Sequence, residues 1–232
     1  LLAHPRDQSL MEGRYPPAIR ITETNCTDPA QEVAFNDWYN RIHVPDILAA
    51  GLGNTAIRYE NGQSDGENPQ YIAIYELATH DLNSVNERFA QVVQRLREKR
   101  RMHEALQIVR RGMWRRIGPD FRSARAGTMA SGGVWIIESN CIDTEREAEF
   151  NRWYNEIHIP DLLATECFVA AYRFESQPGQ GGGRYLALYE TNGDPVEAVD
   201  RFVREHRPGL KTGRRLSEII DVTRRGVYRR LP

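Results

Sequence analysis

Ala18 to Thr24 carries the period-2 pattern of a strand, Ile19-Arg-Ile-Thr22 at its centre, which places Ile19, Ile21 and Glu23 on one side of an extended chain. The strand is echoed from Val134 to Ser139, with Val134, Ile136 and Glu138 sharing a side. Helix-start signals follow each strand. Asp28-Pro29 supplies an N-cap and a proline at the first helical position, and Thr144 with Glu147 forms a capping box. The helices are expected to run to about His43 and His158. Val44 precedes Pro45, and a residue before proline is pushed out of the α region, so a break is expected there. Phe35, Trp38 and Ile42 recur at helical spacing and predict the buried stripe. Ala56 to Glu60 and Tyr71 to Leu77 read as a hairpin closed by the turn-rich Asn61 to Pro69. A second helix over Asp81 to Arg101 and a strand over Gln107 to Arg116 complete the unit.

The unit occurs twice. Phe35-Asn-Asp-Trp-Tyr-Asn-Arg-Ile-His-Val-Pro-Asp-Ile-Leu48 recurs as Phe150-Asn-Arg-Trp-Tyr-Asn-Glu-Ile-His-Ile-Pro-Asp-Leu-Leu163. Tyr71-Ile-Ala-Ile-Tyr-Glu76 recurs as Tyr185-Leu-Ala-Leu-Tyr-Glu190, and Arg110-Arg-Gly-Met-Trp-Arg-Arg116 as Arg224-Arg-Gly-Val-Tyr-Arg-Arg230. Three ordered matches of this kind point to internal duplication. Each copy has the order β-α-β-β-α-β, a ferredoxin-like motif with helices on one sheet face. The bare faces of two such sheets can cover each other. The fold expected is therefore α+β: two ferredoxin-like βαββαβ modules in tandem, forming a pseudo-dimeric α+β barrel. The divisions expected are an N-terminal arm (1–17), a first module (18–117), a polar linker (118–133) and a second module (134–232).

Composition removes several classes of function. Lys and Arg number 31 against 32 Asp and Glu, a balance that argues against nucleic acid as partner. No apolar run approaches the roughly 20 residues of a membrane span, and residues 1–17 contain no continuous apolar stretch of the secretory type. Cys26, Cys141 and Cys167 form no CxxC pair, and their odd number suggests reduced thiols and a cytoplasmic location. The nearest metal donors, one His and one Asp per copy, fall short of a zinc set, and no phosphate-binding glycine loop is present, so no cofactor is expected.

The repeated Phe/Trp-Tyr-Asn-x-x-His-x-Pro-Asp signature within a βαββαβ frame resembles the EthD-like branch of the dimeric α+β barrel superfamily. The resemblance covers both copies, and it implies an apolar cavity between sheet and helices. It leaves the reaction open, because relatives include polyketide cyclases, lactone isomerases, cofactor-free monooxygenases and haem-binding enzymes.

The candidate chemistry is also duplicated. Tyr39 and His43 stand at i,i+4 on one helix face, with Asp46 just beyond; Tyr154, His158 and Asp161 repeat the set. Such a trio can perform acid/base chemistry, the carboxylate fixing the imidazole tautomer; alternatively the histidine caps the helix end. Glu23 and Glu138 continue apolar strand faces and need partners. Arg110 and Arg224 on the last strands can supply them, as substrate-binding groups or as structural ion pairs. Tyr59, Tyr75, Tyr172, Tyr189 and Trp114 are candidates to line cavities, and their differences between copies predict unequal pockets.

The function these residues suggest is a cofactor-independent acid/base enzyme of isomerase, cyclase, dehydratase or lyase type. Its partner would be a small apolar, oxygen-bearing organic molecule such as a phenol, lactone or polyketide-like ring. A haem-binding or cofactor-free monooxygenase and a non-catalytic binder of apolar ligands are the alternatives. Further homo-oligomerisation of the barrel is compatible with any of the three.

Overall fold

The structure, a computed structural model, describes residues 16–232 apart from 64, 65, 67, 124–130, 178 and 192. Most of the N-terminal arm and the middle of the expected linker lie outside the described residues.

The first module runs β1 (Ala18–Cys26), α1 (Glu32–Trp38), α2 (Val44–Ala49), β2 (Thr55–Asn61), β3 (Tyr71–Leu77), α3 (Leu82–Glu98) and β4 (Leu106–Arg122). The second runs β5 (Gly133–Cys141), α4 (Glu147–Trp153), α5 (Ile159–Ala164), β6 (Phe168–Ser176), β7 (Tyr185–Thr191), α6 (Pro195–Arg201), α7 (Arg207–Thr212) and β8 (Ile220–Arg230). The eight strands close into one antiparallel barrel in the order β1-β3-β2-β8-β5-β7-β6-β4. Within a module the pairs are β1 with β3 and β4, and β5 with β7 and β8. Between modules, β2 pairs with β8 and β4 with β6. Closure removes the sheet edges that either module alone would expose.

β4 extends beyond the strand expected from the sequence, into the segment read as linker. It continues to Arg122, which faces Ala170 of β6, and its register shifts between Ile117 and Phe121. Gly118 lies there at φ +77°, a conformation glycine adopts without a steric penalty. The neighbouring strand, not local periodicity, makes these polar residues extended.

The helix expected to stop at His43 does not stop. Tyr39–His43 forms a π-helical turn, in which the Val44 N–H donates to the Tyr39 carbonyl, and the chain continues as α2. The same turn occupies Tyr154–His158 before Pro160 and Phe202–His206 before Pro208. In all three the turn ends two residues before a proline, which lacks an N–H and crowds the preceding turn. Widening that turn by one residue keeps the helix intact. It also rotates the buried stripe. Phe35 and Trp38 are buried as expected, but Ile42 is exposed, and Tyr39 and His43 take the inward positions.

Three layers of side chains result. Helices pack on the outer faces of the two sheets, around Phe35, Tyr39, Tyr75 and Phe89 in one module and Phe150, Tyr154, Tyr189 and Phe202 in the other. The lumen is a third core, containing Ile19, Ile21, Ile72 and Ile74 with Val134, Ile136, Leu186 and Leu188. Trp114 and Tyr228 fold back inside it over Gly112 and Gly226. A Cβ at either glycine would fall 2.4 or 2.5 Å from the aromatic ring, which accounts for the glycine in the Arg-Arg-Gly repeat.

Candidate functional site

In the first module the signature residues meet beneath the helix. The His43 imidazole is buried, stacked on Trp38 (ring centroids 5.0 Å apart) and edge-on to Tyr39 (4.9 Å). Its Nδ1 has no hydrogen-bond partner among the described residues. Burial is the main reason its pKa falls to about 4; the Asp46 charge opposes this and the Arg58 charge adds to it. Asp46 therefore does not orient the ring as expected. Its two oxygens accept from Arg101 Nε (2.6 Å) and Nη2 (2.9 Å), on the outer side of the helix. Asp161 is held in the same way by Arg215, which donates from Nη2 at 2.7 Å.

Tyr39 is buried against Arg58, whose guanidinium lies 4.1 Å from the ring centroid. Arg58 donates to Asn40 Oδ1 (3.0 Å) and Asn36 Oδ1 (2.8 Å). The Tyr75 hydroxyl donates to that of Tyr39, and burial raises the pKa of both phenols. These groups border a small cavity of about 30 Å3 between sheet and helices, lined also by Arg20, Thr22, Thr24, Phe89 and Met102.

The second module repeats the frame and fills the space. His158 stacks on Trp153 at 4.6 Å and meets Tyr154 at 5.1 Å; its Nδ1 is likewise unpartnered, and burial lowers its pKa to about 4. Arg173 donates to Asn155 Oδ1 (2.9 Å) and Asn151 Oδ1 (2.8 Å), and lies 4.3 Å from the Tyr154 ring centroid. Where β1 sets Arg20 opposite Tyr75, β5 sets Trp135 opposite Tyr189. The Trp135 indole stacks on Phe168 at 5.5 Å and packs against Tyr189 and Phe202 at 5.5 and 5.7 Å.

The expected carboxylate–guanidinium pairs form in the lumen and cross between modules. Glu23 accepts from Arg110 Nη2 (2.8 Å) and Arg224 Nη1 (2.7 Å). Glu138 accepts from Arg110 Nη1 (2.9 Å) and Arg224 Nη1 (3.2 Å). Arg224 also donates to Asn68 Oδ1 (3.1 Å) and the Tyr228 hydroxyl (2.9 Å). Burial would favour the neutral acid of Glu138, but Arg110 and Arg224 outweigh it and hold the carboxyl below its ordinary pKa. Two positive and two negative groups thus satisfy one another. Trp114, Tyr59 and Tyr172 pack in the lumen below, where the Tyr172 hydroxyl donates to Glu190 at 3.0 Å.

The inward-facing arginines Arg20, Arg58 and Arg173 escaped sequence reasoning, as did the asparagines that hold two of them. The asparagines at i,i+4 in both copies of the signature were the available signal. Trp135 at the position that matches Arg20 was readable only as a difference between two otherwise matching strands. Among the described residues, no group of three or more His, Cys, Asp or Glu side chains is arranged to hold a metal ion.

Comparison with solved structures agrees with the architecture. A mutant chlorite dismutase from Candidatus Nitrospira defluvii superposes with a TM-score of 0.55 at 12% identity, covering 93% of this chain and 91% of that one. The encapsulated DyP-type peroxidase from Mycobacterium smegmatis gives 0.52 at 12%, covering 94% and 93%. The chain has the dimeric α+β barrel fold. At these identities the likeness concerns the fold alone. Residues 134–214 match the family profile of a domain of unknown function, DUF4286. A 62-residue stretch is 36% identical to core atranone cluster protein 1 of Stachybotrys chlorohalonatus, and spans about a quarter (26%) of each chain. No described helix is long and apolar enough to cross a membrane.

Proposed function

We propose that this dimeric α+β barrel is a cofactor-independent acid/base enzyme of isomerase, cyclase, dehydratase or lyase type. Its active site is the cavity of the first module. The substrate is a small apolar, oxygen-bearing molecule, such as a phenol, a lactone or a polyketide-like compound. The signature residues and the repeat further support an EthD-like module duplicated in tandem, with one copy retaining the site.

The observation that carries this reading is the buried His43 beside the Tyr39–Tyr75 hydroxyl pair, on a cavity that Trp135 and its neighbours fill in the second module. With its pKa lowered to about 4 by burial, His43 is neutral at pH 7. Its buried Nδ1, without a partner among the described residues, is the proton acceptor once the lining side chains move and water or substrate reaches it. Tyr39 supplies a hydroxyl for the substrate oxygen. The cavity holds about one water, so admitting the substrate requires its lining side chains to move, the flexible Met102 among them. A haem does not fit beneath either histidine. It needs room on at least the scale of a drug-sized ligand, roughly 300–1,000 Å3. The side chains of Trp38, Tyr39 and Phe89, or of Trp135, Phe168 and Phe202, occupy that space.

The test is a panel of small phenols, lactones and cyclic ketones, read by NMR for product and for deuterium taken up from D2O. His43→Ala is expected to lower turnover by about 10²- to 10⁴-fold, the usual contribution of a general acid or base. His158→Ala is expected to leave it intact. Full turnover by the His43 variant would remove the catalytic assignment.

A further inference from the structure

Arg20 is a charged side chain in an unusual position. It lies on the outer face of β1, covered by α3, and only 6% of its surface is exposed. Its guanidinium makes one hydrogen bond, to Asn86 Oδ1 at 3.3 Å, and sits 4.3 Å from the centroid of the Phe89 ring. No carboxylate of the described residues pairs with it. Burial, and then the nearby Arg111, lower its pKa to about 10, still charged at neutral pH. A buried cation without a counter-ion is costly, and folded proteins normally pair such a group or neutralise it.

The surroundings give that cost a use. Arg20 and Arg111 both line the His43 cavity, and none of its lining residues is acidic. Arg111 lies beside Thr22 in the β1–β4 register, so both guanidinium groups and the Thr22 and Thr24 hydroxyls belong to one wall. The other buried arginines are different. Arg58 and Arg173 are enclosed by asparagine pairs, and Arg110 and Arg224 are neutralised by Glu23 and Glu138. Of the buried arginines without a carboxylate partner, Arg20 lines the His43 cavity and Arg58 and Arg173 do not, and the second module carries Trp135 at the position that matches Arg20.

We infer that Arg20 is the counter-ion of a carboxylate, so that the ligand of the first-module cavity is a small organic acid bound with its carboxylate on Arg20 and its apolar part toward Phe89 and Met102. This deepens the acid/base reading by naming the substrate class, and it rests on that reading only for the site's chemistry. Two N–H groups of a guanidinium can meet the two carboxylate oxygens in parallel, a geometry that an amide of the same shape cannot reproduce. Asn86 holds one edge of Arg20 and leaves the rest of the donor fork for the acid.

The experiment compares acetate, propionate and benzoate with acetamide and benzamide, by calorimetry and NMR at pH 7. At least one acid is expected to bind one site per chain, at least tenfold tighter than its amide. Arg20→Met removes the preference and Arg20→Lys restores part of it. Without ligand, Arg20→Met is expected to melt at a higher temperature than the wild type, because a lone buried cation has been removed; the acid raises the melting temperature of the wild type only. Equal binding of acid and amide, no saturable binding of any acid, or an Arg20→Met protein that keeps the preference would each overturn the inference. The two readings fail separately. Acid binding with full turnover in His43→Ala retains the carboxylate site and rejects the base. Loss of turnover in His43→Ala without acid preference does the reverse.

Discussion

The two modules share a frame and differ in what the frame surrounds. Both bury an arginine between two asparagines, Arg58 in one and Arg173 in the other, and both stack a histidine on a tryptophan. Both send the tryptophan N–H to a backbone carbonyl, Trp38 to Arg101 and Trp153 to Arg215. Among the described residues, the first places Arg20 and a cavity behind this frame, and the second places Trp135 there among aromatic rings. A feature present in both, including the module whose space is filled, does not by itself mark a site, since helix-to-sheet packing also uses it. The part that differs is where the search for chemistry belongs. The repeated His43 and Tyr39 acquire a distinct setting only in the first module, where Arg20 and the cavity stand beside them.

Three measurements press on the comparison. The largest effect is expected where the modules are bound most symmetrically. Glu138→Ala leaves two guanidinium groups in the lumen with one carboxylate, and should cost about 3–5 kcal/mol in chemical denaturation, with Glu23→Ala matching it. Unequal losses would show that the lumen, too, distinguishes the modules. Next, Trp135→Ala should cost about 3 kcal/mol, the low end for a large aromatic because the indole is only partly enclosed, without changing turnover. A fall in turnover would mean that the second module takes part. The smallest effect is a pH dependence. The folded pKa of His43, about 4, lies below the ordinary 6.5, so the unfolded chain binds the proton more readily. The stability contributed is complete above pH 6.5 and is lost as pH falls toward 4, amounting to about 2 kcal/mol between pH 7.5 and 5. His43→Gln should flatten the stability curve over that interval by this amount; an unchanged slope would show that the ring is solvated.

Much of the architecture was legible because it depends on local rules. Period-2 spacing marked β1 and the repeat marked β5, and a carboxylate continuing an apolar face marked Glu23 and Glu138 as groups in need of arginine. Three features were not legible. The π-helical turns depend on how a helix accommodates Pro45 and Pro160, and proline alone signals only a stop. The cross-module contacts of Arg110 and Arg224 depend on barrel closure, which no single strand records. Arg20 stands at a polar position of an alternating strand, where solvent is the ordinary expectation. Only α3 packed over it shows that the charge is buried.

Closure of the barrel by β4–β6 and β2–β8 has one more consequence. In a barrel made from two separate chains, those strand pairs form by association, and dilution dissolves them. Here they join segments of one polymer, whose effective local concentration is set by chain length and not by how much protein is present. The barrel should therefore persist at any dilution, and its melting temperature should not depend on protein concentration. A single chain is also free of the symmetry that identical subunits impose: a residue suited to one cavity need not appear in the other.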